Sequence, residues 1–173
     1  LNDGADDAIK LIKSATNRID GIAADVLESH RHLNHPPMIN TDKIVTTLES
    51  VIEERATAFK QIEFSNSLRE MGTYVADITD LARIISNLLQ NSIEASTQKG
   101  KIVVRLHPSR GGCEIIVQDE GTGMAPDIVV KALAGGFSSK VGGNGIGLAS
   151  SKEKVESWGG FFTASSEMGS GTT

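Results

Sequence analysis

The chain holds a single cysteine, Cys113, among 173 residues. That excludes an internal disulfide and a metal site built from thiolates, and it fits a reducing compartment. No apolar run approaches the roughly 18 residues needed to cross a bilayer, and no signal peptide is visible. A cytoplasmic location is expected, any membrane anchor of a full-length protein lying in an upstream segment. An excess of positive charge is also missing: 17 Lys and Arg face 22 Asp and Glu, for a net charge of −5. A non-specific nucleic-acid binder would be basic, so no nucleic-acid partner is expected. The first residue is Leu1 rather than methionine, and Thr173 follows directly on a glycine-rich turn. The expectation is a piece of a longer protein.

Apolar residues make up 39% of the chain, enough for the core of one ordinary domain with an appendage. Residues 3–33 read as a helix in which Ile12, Ile19, Val26 and Leu33 recur every seven residues, with Ile9 and Ile22 beside them. That is the seam of a bundle or coiled coil. It should end near Asn34-His35-Pro36-Pro37, because proline pushes the residue before it out of the helical region. Thr41 or Asp42 can cap a second helix whose apolar face carries Ile44, Leu48, Val51, Ile52 and Phe59. Short strands are expected at 61–64 and 74–77, and a strongly apolar helix at about 78–98. A strand pair, 101–106 with 114–118, should turn at Ser109-Arg110-Gly111-Gly112. Eight glycines between 121 and 147 mark a long connection with one short helix near 126–134. A helix at 147–157 and a strand at 161–165 complete the reading. Strands and helices mix without a strict βαβ rhythm. The expected fold is therefore α/β, a two-layer sandwich of a mixed sheet and helices, preceded by the long helix.

Four polar stretches could carry chemistry. In Asn87-Leu88-Leu89-Gln90-Asn91, two amides four residues apart share one face of a helix whose other face is apolar. Taken singly, this reads as a polar helix edge bonded to a loop. Asp119-Glu120-Gly121-Thr122-Gly123-Met124 leaves a buried strand and at once places a carboxylate beside two spaced glycines, which could be a turn and nothing more. Gly143, Gly145 and Gly147 alternate into a helix, whose first N–H groups can bind phosphate oxygens. The spacing matches neither the dinucleotide fingerprint nor a P-loop. Gly169-Ser170-Gly171-Thr172 is, alone, a turn.

In this order and spacing the stretches resemble the motif boxes of the GHKL (Bergerat-fold) ATP-binding superfamily, and within it the catalytic domain of sensor histidine kinases. "NLLQNSIEA" is similar to the N box, "DEGTGM" to the G1 box, "GGFSSK" to the F box, "GNGIGL" to the G2 box and "GSGT" to the G3 box. The likeness covers about residues 60–173. It implies that Asp119 accepts the adenine amino group and that Gly121 and Gly123 leave room for the purine. Asn91 would be the Mg²⁺ ligand, with Asn87 near the phosphates. Phe137, Ser138 and Ser139 would lead to Lys140, a point charge beside the triphosphate. Gly143, Gly145, Ile146 and Gly147 would border the phosphates, Leu148 would close over them, and Thr172 would flank the adenine. Glu94 departs from the pattern, since many such kinases carry a basic residue there.

The resemblance also bears on the reaction. Hydrolases of the superfamily place a glutamate, as base for water, four residues before the magnesium asparagine; here that position is Asn87. The implied activity is transfer of the ATP γ-phosphoryl group to a histidine, a reaction that needs mostly positioning and charge neutralisation. None of His30, His32, His35 and His107 fits the expected acceptor motif. Residues 1–35 would then be the second helix of a dimerisation hairpin whose first, histidine-bearing helix lies upstream. Residues 36–173 would be the ATP-binding domain, with its last strand truncated. The implied partners are that helix, of self or of a partner protomer in a homodimer, and a response regulator receiver domain. The alternatives are a serine kinase of the anti-sigma type and a non-catalytic ATP-sensing module of the same fold.

Overall fold

The computed structural model describes residues 37–57, 61–96, 100–135 and 145–173. The helix expected over 3–33, the histidines His30, His32 and His35, and Phe59 lie outside the described residues, so the division at residue 35 is not tested by them.

Strand β1 (Met38–Asn40) pairs antiparallel with β3 (Thr73–Val75). Helix α1 (Thr41–Ala56) follows β1 directly. Its N-cap is Asn40, one residue before the expected Thr41 or Asp42: the Asn40 side chain accepts from the Lys43 N–H at 2.9 Å. Thr41 is buried, and its hydroxyl accepts from the Gly72 N–H at 2.8 Å, which binds the helix start to the segment entering β3. Helix α2 (Ile78–Ala95) is capped by Asp77, whose Oδ1 accepts from Thr79 N and Asp80 N at 2.8 and 2.9 Å. That capping role is why the strand expected at 74–77 stops at Val75.

The main sheet runs in the order β2 (Ile62–Asn66), β4 (Ile102–Ser109), β5 (Gly112–Asp119), β7 (Gly171–Thr172) and β6 (Ser166–Glu167). β2 and β4 are parallel and every other pair is antiparallel, so the sheet is mixed as expected. Two further helices, α3 (Pro126–Ala134) and α4 (Gly147–Ser157), stand where the sequence places them.

The strand expected at 161–165 is a correction. Residues 160–165 carry no strand, and β6 begins at Ser166. Ser165 alone exchanges two backbone bonds, both 2.8 Å, with Thr173. Phe161 is 95% exposed. The run Phe-Phe-Thr-Ala-Ser has the side chains of a strand, but a strand also needs a neighbour, and none pairs with 161–164 among the described residues.

The core lies between the helix pair and one face of the sheet. β4 sends Ile102, Val104 and Leu106 inward at alternate positions, and all three are buried. Ile44, Leu48, Val51 and Ile52 of α1 and Leu81, Ile85 and Leu89 of α2 pack over them. The helices thus adopt the spacing expected of faces covered on one side only.

Leu48 has no exposed surface and lies on α1 within this core. Leu48→Ala is expected to lower unfolding free energy by about 2–5 kcal/mol, the usual range for truncating a buried leucine. Removing the Asp77 cap with Asp77→Ala should cost about 0.5–2 kcal/mol. Urea unfolding followed by far-UV circular dichroism measures both, and equal losses for the two would contradict this description of the core.

Candidate functional site

A cavity of about 1370 Å³ is lined by one face of α2, the end of β5, the turn after it, β7 and the start of α4, and extends along the rest of β5, residues 158–165 and the β1–β3 pair. The α2 face presents Asn87, Asn91, Glu94 and Ala95 to it, at the three- and four-residue intervals that align side chains on a helix. Asp119 closes the inner wall. It is the last residue of β5 and only 4% exposed.

A carboxylate so buried must have donors. Asp119 Oδ1 accepts from the Gly121 N–H at 2.9 Å and the Thr172 N–H at 3.2 Å, and Oδ2 accepts from the Ser92 hydroxyl at 3.0 Å. The carboxylate therefore joins its own turn, β7 and α2. Each carboxylate oxygen has two acceptor sites. Oδ2, which takes one of these bonds, retains the capacity to accept from a donor in the cavity.

The turn after Asp119 is shaped by contacts that a side chain would block. Gly123 has φ +65°, and a Cβ there would collide with the Glu167 carbonyl. Gly171, at φ +100°, lies against the Asp119 carbonyl in the same way. Both positions need a residue that accepts the left-handed region and close backbone approach. Ser166 supports the turn from β6: its Oγ accepts from Met124 N at 2.7 Å and donates to the Gly171 carbonyl at 2.8 Å.

At the other end of the cavity α2 meets α4. A Cβ on Gly147 would lie 2.6 Å from Asn87 Nδ2, so the amide occupies the space that a glycine leaves. Asn87 Nδ2 is 3.4 Å from Ser151 Oγ, and that hydroxyl donates to the Gly147 carbonyl at 2.8 Å. Ile146 stands at the α4 N-cap and provides no side-chain cap. Gly145, Ile146, Gly147 and Leu148 all line the cavity. The first N–H groups of α4 are thus left for an acceptor other than a cap, the electrostatic setting that suits an anion.

Of the residues singled out from the sequence, Asn87, Asn91, Asp119, Gly123, Gly145, Ile146, Gly147, Leu148 and Thr172 line this one cavity. Gly121 does not line it but is buried behind Asp119, where a Cβ would come within 2.7 Å of Asp119 Oδ1 and of the Ala95 carbonyl. Phe137, Ser138, Ser139, Lys140 and Gly143 lie outside the described residues. Three serines escaped the sequence reading: Ser92 and Ser151, both buried, and Ser166. A serine on the apolar side of a helix is a signal that a partner waits across it, but only the fold identifies the partner. Cys113 is half-buried on β5, and burial pushes its thiol up, away from nucleophilic reactivity at neutral pH. His107 lies within 3.4 Å of Glu114 on the β4–β5 pair and does not line the cavity.

Residues 76–173 match the family described as histidine kinase-, DNA gyrase B- and HSP90-like ATPase. The chain is 42% identical over 96 residues to the C4-dicarboxylate transport sensor protein DctB of Rhizobium meliloti (strain 1021). That stretch is 54% of this chain and 15% of the relative, so the chain spans a small part of that protein's length. The fold is similar to the mycobacterial sensor histidine kinase MprB, with a TM-score of 0.66 and 24% identity over 79% of this chain and 92% of that one. It is also similar to histidine kinase ThkA, in a crystal structure with response regulator protein TrrA, with a TM-score of 0.62 and 19% identity over 95% of this chain and 48% of that one. The family match takes in more than half of the sequence, from the end of β3 to Thr173, and the chain belongs to the histidine kinase-, DNA gyrase B- and HSP90-like ATPase family.

Proposed function

We propose that this domain binds ATP with Mg²⁺ and serves as the catalytic domain of a two-component sensor histidine kinase, its γ-phosphoryl group passing to a histidine outside this chain. The observation that carries the reading is the buried Asp119 carboxylate, held by three donors with Oδ2 still able to accept, in the cavity that Asn87 and Asn91 also line.

The residues divide the nucleotide between them. Asp119 accepts from an exocyclic amino group, which adenine presents and the guanine six-position lacks. Thr172 and Met124 border the ring. The α4 N-terminus and the glycines before it face the phosphates, as backbone N–H groups do at anion sites. Lys140 adds a positive charge in this reading. Asn91 holds the cation through its amide oxygen. The Asn91 amide oxygen is a hard, uncharged donor of the kind Mg²⁺ accepts. A hydrated ion that takes one protein oxygen and completes its shell with phosphates and water suits such a site. Bound there, it would neutralise charge on the phosphates.

Asn87, set against Gly147 and Ser151, cannot take a proton from water. The domain therefore keeps ATP intact until a better nucleophile is presented. Phosphoryl transfer asks for alignment and charge neutralisation rather than covalent help, and an imidazole delivered in line meets that demand. His107, beside Glu114 on the β4–β5 pair, does not itself line the cavity and is not that imidazole. A response regulator receives the phosphoryl group afterwards, a step supported by the ThkA–TrrA assembly. The heptad seam at residues 9–33 would serve a homodimer of the full-length protein.

Calorimetric titration tests the pocket: ATP with Mg²⁺ should bind and GTP should not. Asp119→Asn should weaken ATP by on the order of 1.5–3 kcal/mol, the worth of a hydrogen bond to a charged group. Asn91→Ala should remove the Mg²⁺-dependent part of binding. Gly147→Ala should weaken binding by displacing the Asn87 amide, with little change in the far-UV spectrum. With γ-labelled ATP the chain should acquire no acid-labile phosphate; label on one of its four histidines would overturn the external acceptor.

A further inference from the structure

The three donors to Asp119 are not alike. Two are backbone N–H groups, of Gly121 and Thr172, and both go to Oδ1, at 2.9 and 3.2 Å. They fill the two acceptor sites of that oxygen. The third donor is the Ser92 hydroxyl, a side chain, and it alone of the three goes to Oδ2. Oδ2 is the oxygen that keeps capacity for a ligand, so the group that fixes it is Ser92.

A serine inside a helix can give its proton to the carbonyl three or four residues back. The serines of α4 do so: Ser150 and Ser151 donate to the Gly147 carbonyl at 3.2 and 2.8 Å, and Ser157 donates to the Lys154 carbonyl at 2.6 Å. Ser92 of α2 instead donates to Asp119 Oδ2 at 3.0 Å, across 27 positions of sequence. Ser92 is 6% exposed, and both residues line the cavity. The bond is therefore shielded from water and belongs to the wall that a ligand meets.

A hydroxyl has one proton and two lone pairs. Ser92 commits the proton to Asp119, so beside the carboxylate it presents lone pairs, and Oδ2 retains one acceptor site. This pair of side chains accepts and does not donate. A purine with an amino group at position six finds an acceptor already in place, whereas one with an oxygen there meets lone pairs. We propose that Ser92 is a positioning residue for base selection: its bond holds Oδ2 for the incoming amino group and so sets the preference for a six-amino over a six-oxo purine. This rests on the nucleotide-pocket reading and deepens it. Without the hydroxyl, Oδ1 keeps its backbone donors but Oδ2 has no tether, and the terminal torsion of an aspartate is broad. The acceptor is then no longer preorganised, and the loss falls on the ligand that uses it.

The test is the ratio of the dissociation constants of inosine diphosphate and ADP, both measured calorimetrically with Mg²⁺. Inosine diphosphate carries an oxygen at position six and lacks the two-amino group of guanine, so the comparison is confined to the edge that Asp119 meets. The parent chain should prefer ADP. Ser92→Ala removes the hydroxyl and keeps a good helix former; it should shrink the preference by about threefold or more, through weaker ADP binding. Ser92→Thr returns the hydroxyl and should retain the parent's ratio. General damage to the fold would weaken both nucleotides alike and leave the ratio where it was. If Ser92→Ala leaves the ratio unchanged, or Ser92→Thr shrinks it as far as Ser92→Ala does, the inference is overturned and the pocket reading stands. If the parent chain binds neither nucleotide, or binds both equally, the pocket reading fails and the inference with it.

Discussion

The carboxylate of Asp119 is the constraint from which the rest of the site follows. A charge at 4% exposure is expensive to desolvate unless donors surround it. Those donors come from the turn after β5, from α2 and from β7, segments far apart in sequence. Gly171 must lack a side chain because the backbone of β7 comes up against the Asp119 carbonyl. Ser92 must be small and hydroxylated because it faces the same carboxylate from α2. One ionised group thereby dictates residue types on three elements.

The opposite end of the cavity is organised by close packing rather than by charge. Gly147 allows α4 to approach α2 until the Asn87 amide fills the space beside it. Ser151, one turn along α4, faces the same amide and bonds back to the Gly147 carbonyl. A further link between the helices joins Lys154 Nζ to Asp80 Oδ2 at 3.0 Å. The two ends thus respond differently to substitution. At Asp119 the loss is of a charged hydrogen bond, and at Gly147 it is of volume.

The core and the site share α2. Leu81, Ile85 and Leu89 belong to the core, Asn87, Asn91 and Glu94 line the cavity, and Leu81 and Ile85 reach both. The helix is therefore positioned by apolar burial, roughly 25 cal/mol per Å² removed from water, and its polar face inherits that rigidity. Arg55 extends the arrangement: it lies on a core helix and reaches the polar face through Gln90.

The sequence by itself determined the elements whose side chains report their own surroundings. Alternation at Ile102, Val104 and Leu106, and apolar spacing along 78–95, mark buried faces wherever they occur. Asp119, Gly123, Gly147 and Thr172 were named through the order and spacing of the boxes and the family these resemble, and the fold brings all four to one cavity. Three things were decided only by the tertiary structure. Residues 161–165 have strand-like side chains, yet a strand is a relation between two segments, and its register cannot be read from one. Ser92, Ser151 and Ser166 are ordinary residues until folding brings a polar partner within 3.5 Å. Arg55 and Glu94, 39 positions apart in the numbering, both bond the Gln90 amide. Local pattern fixes which face of an element is buried; which distant group meets that face depends on how the elements pack.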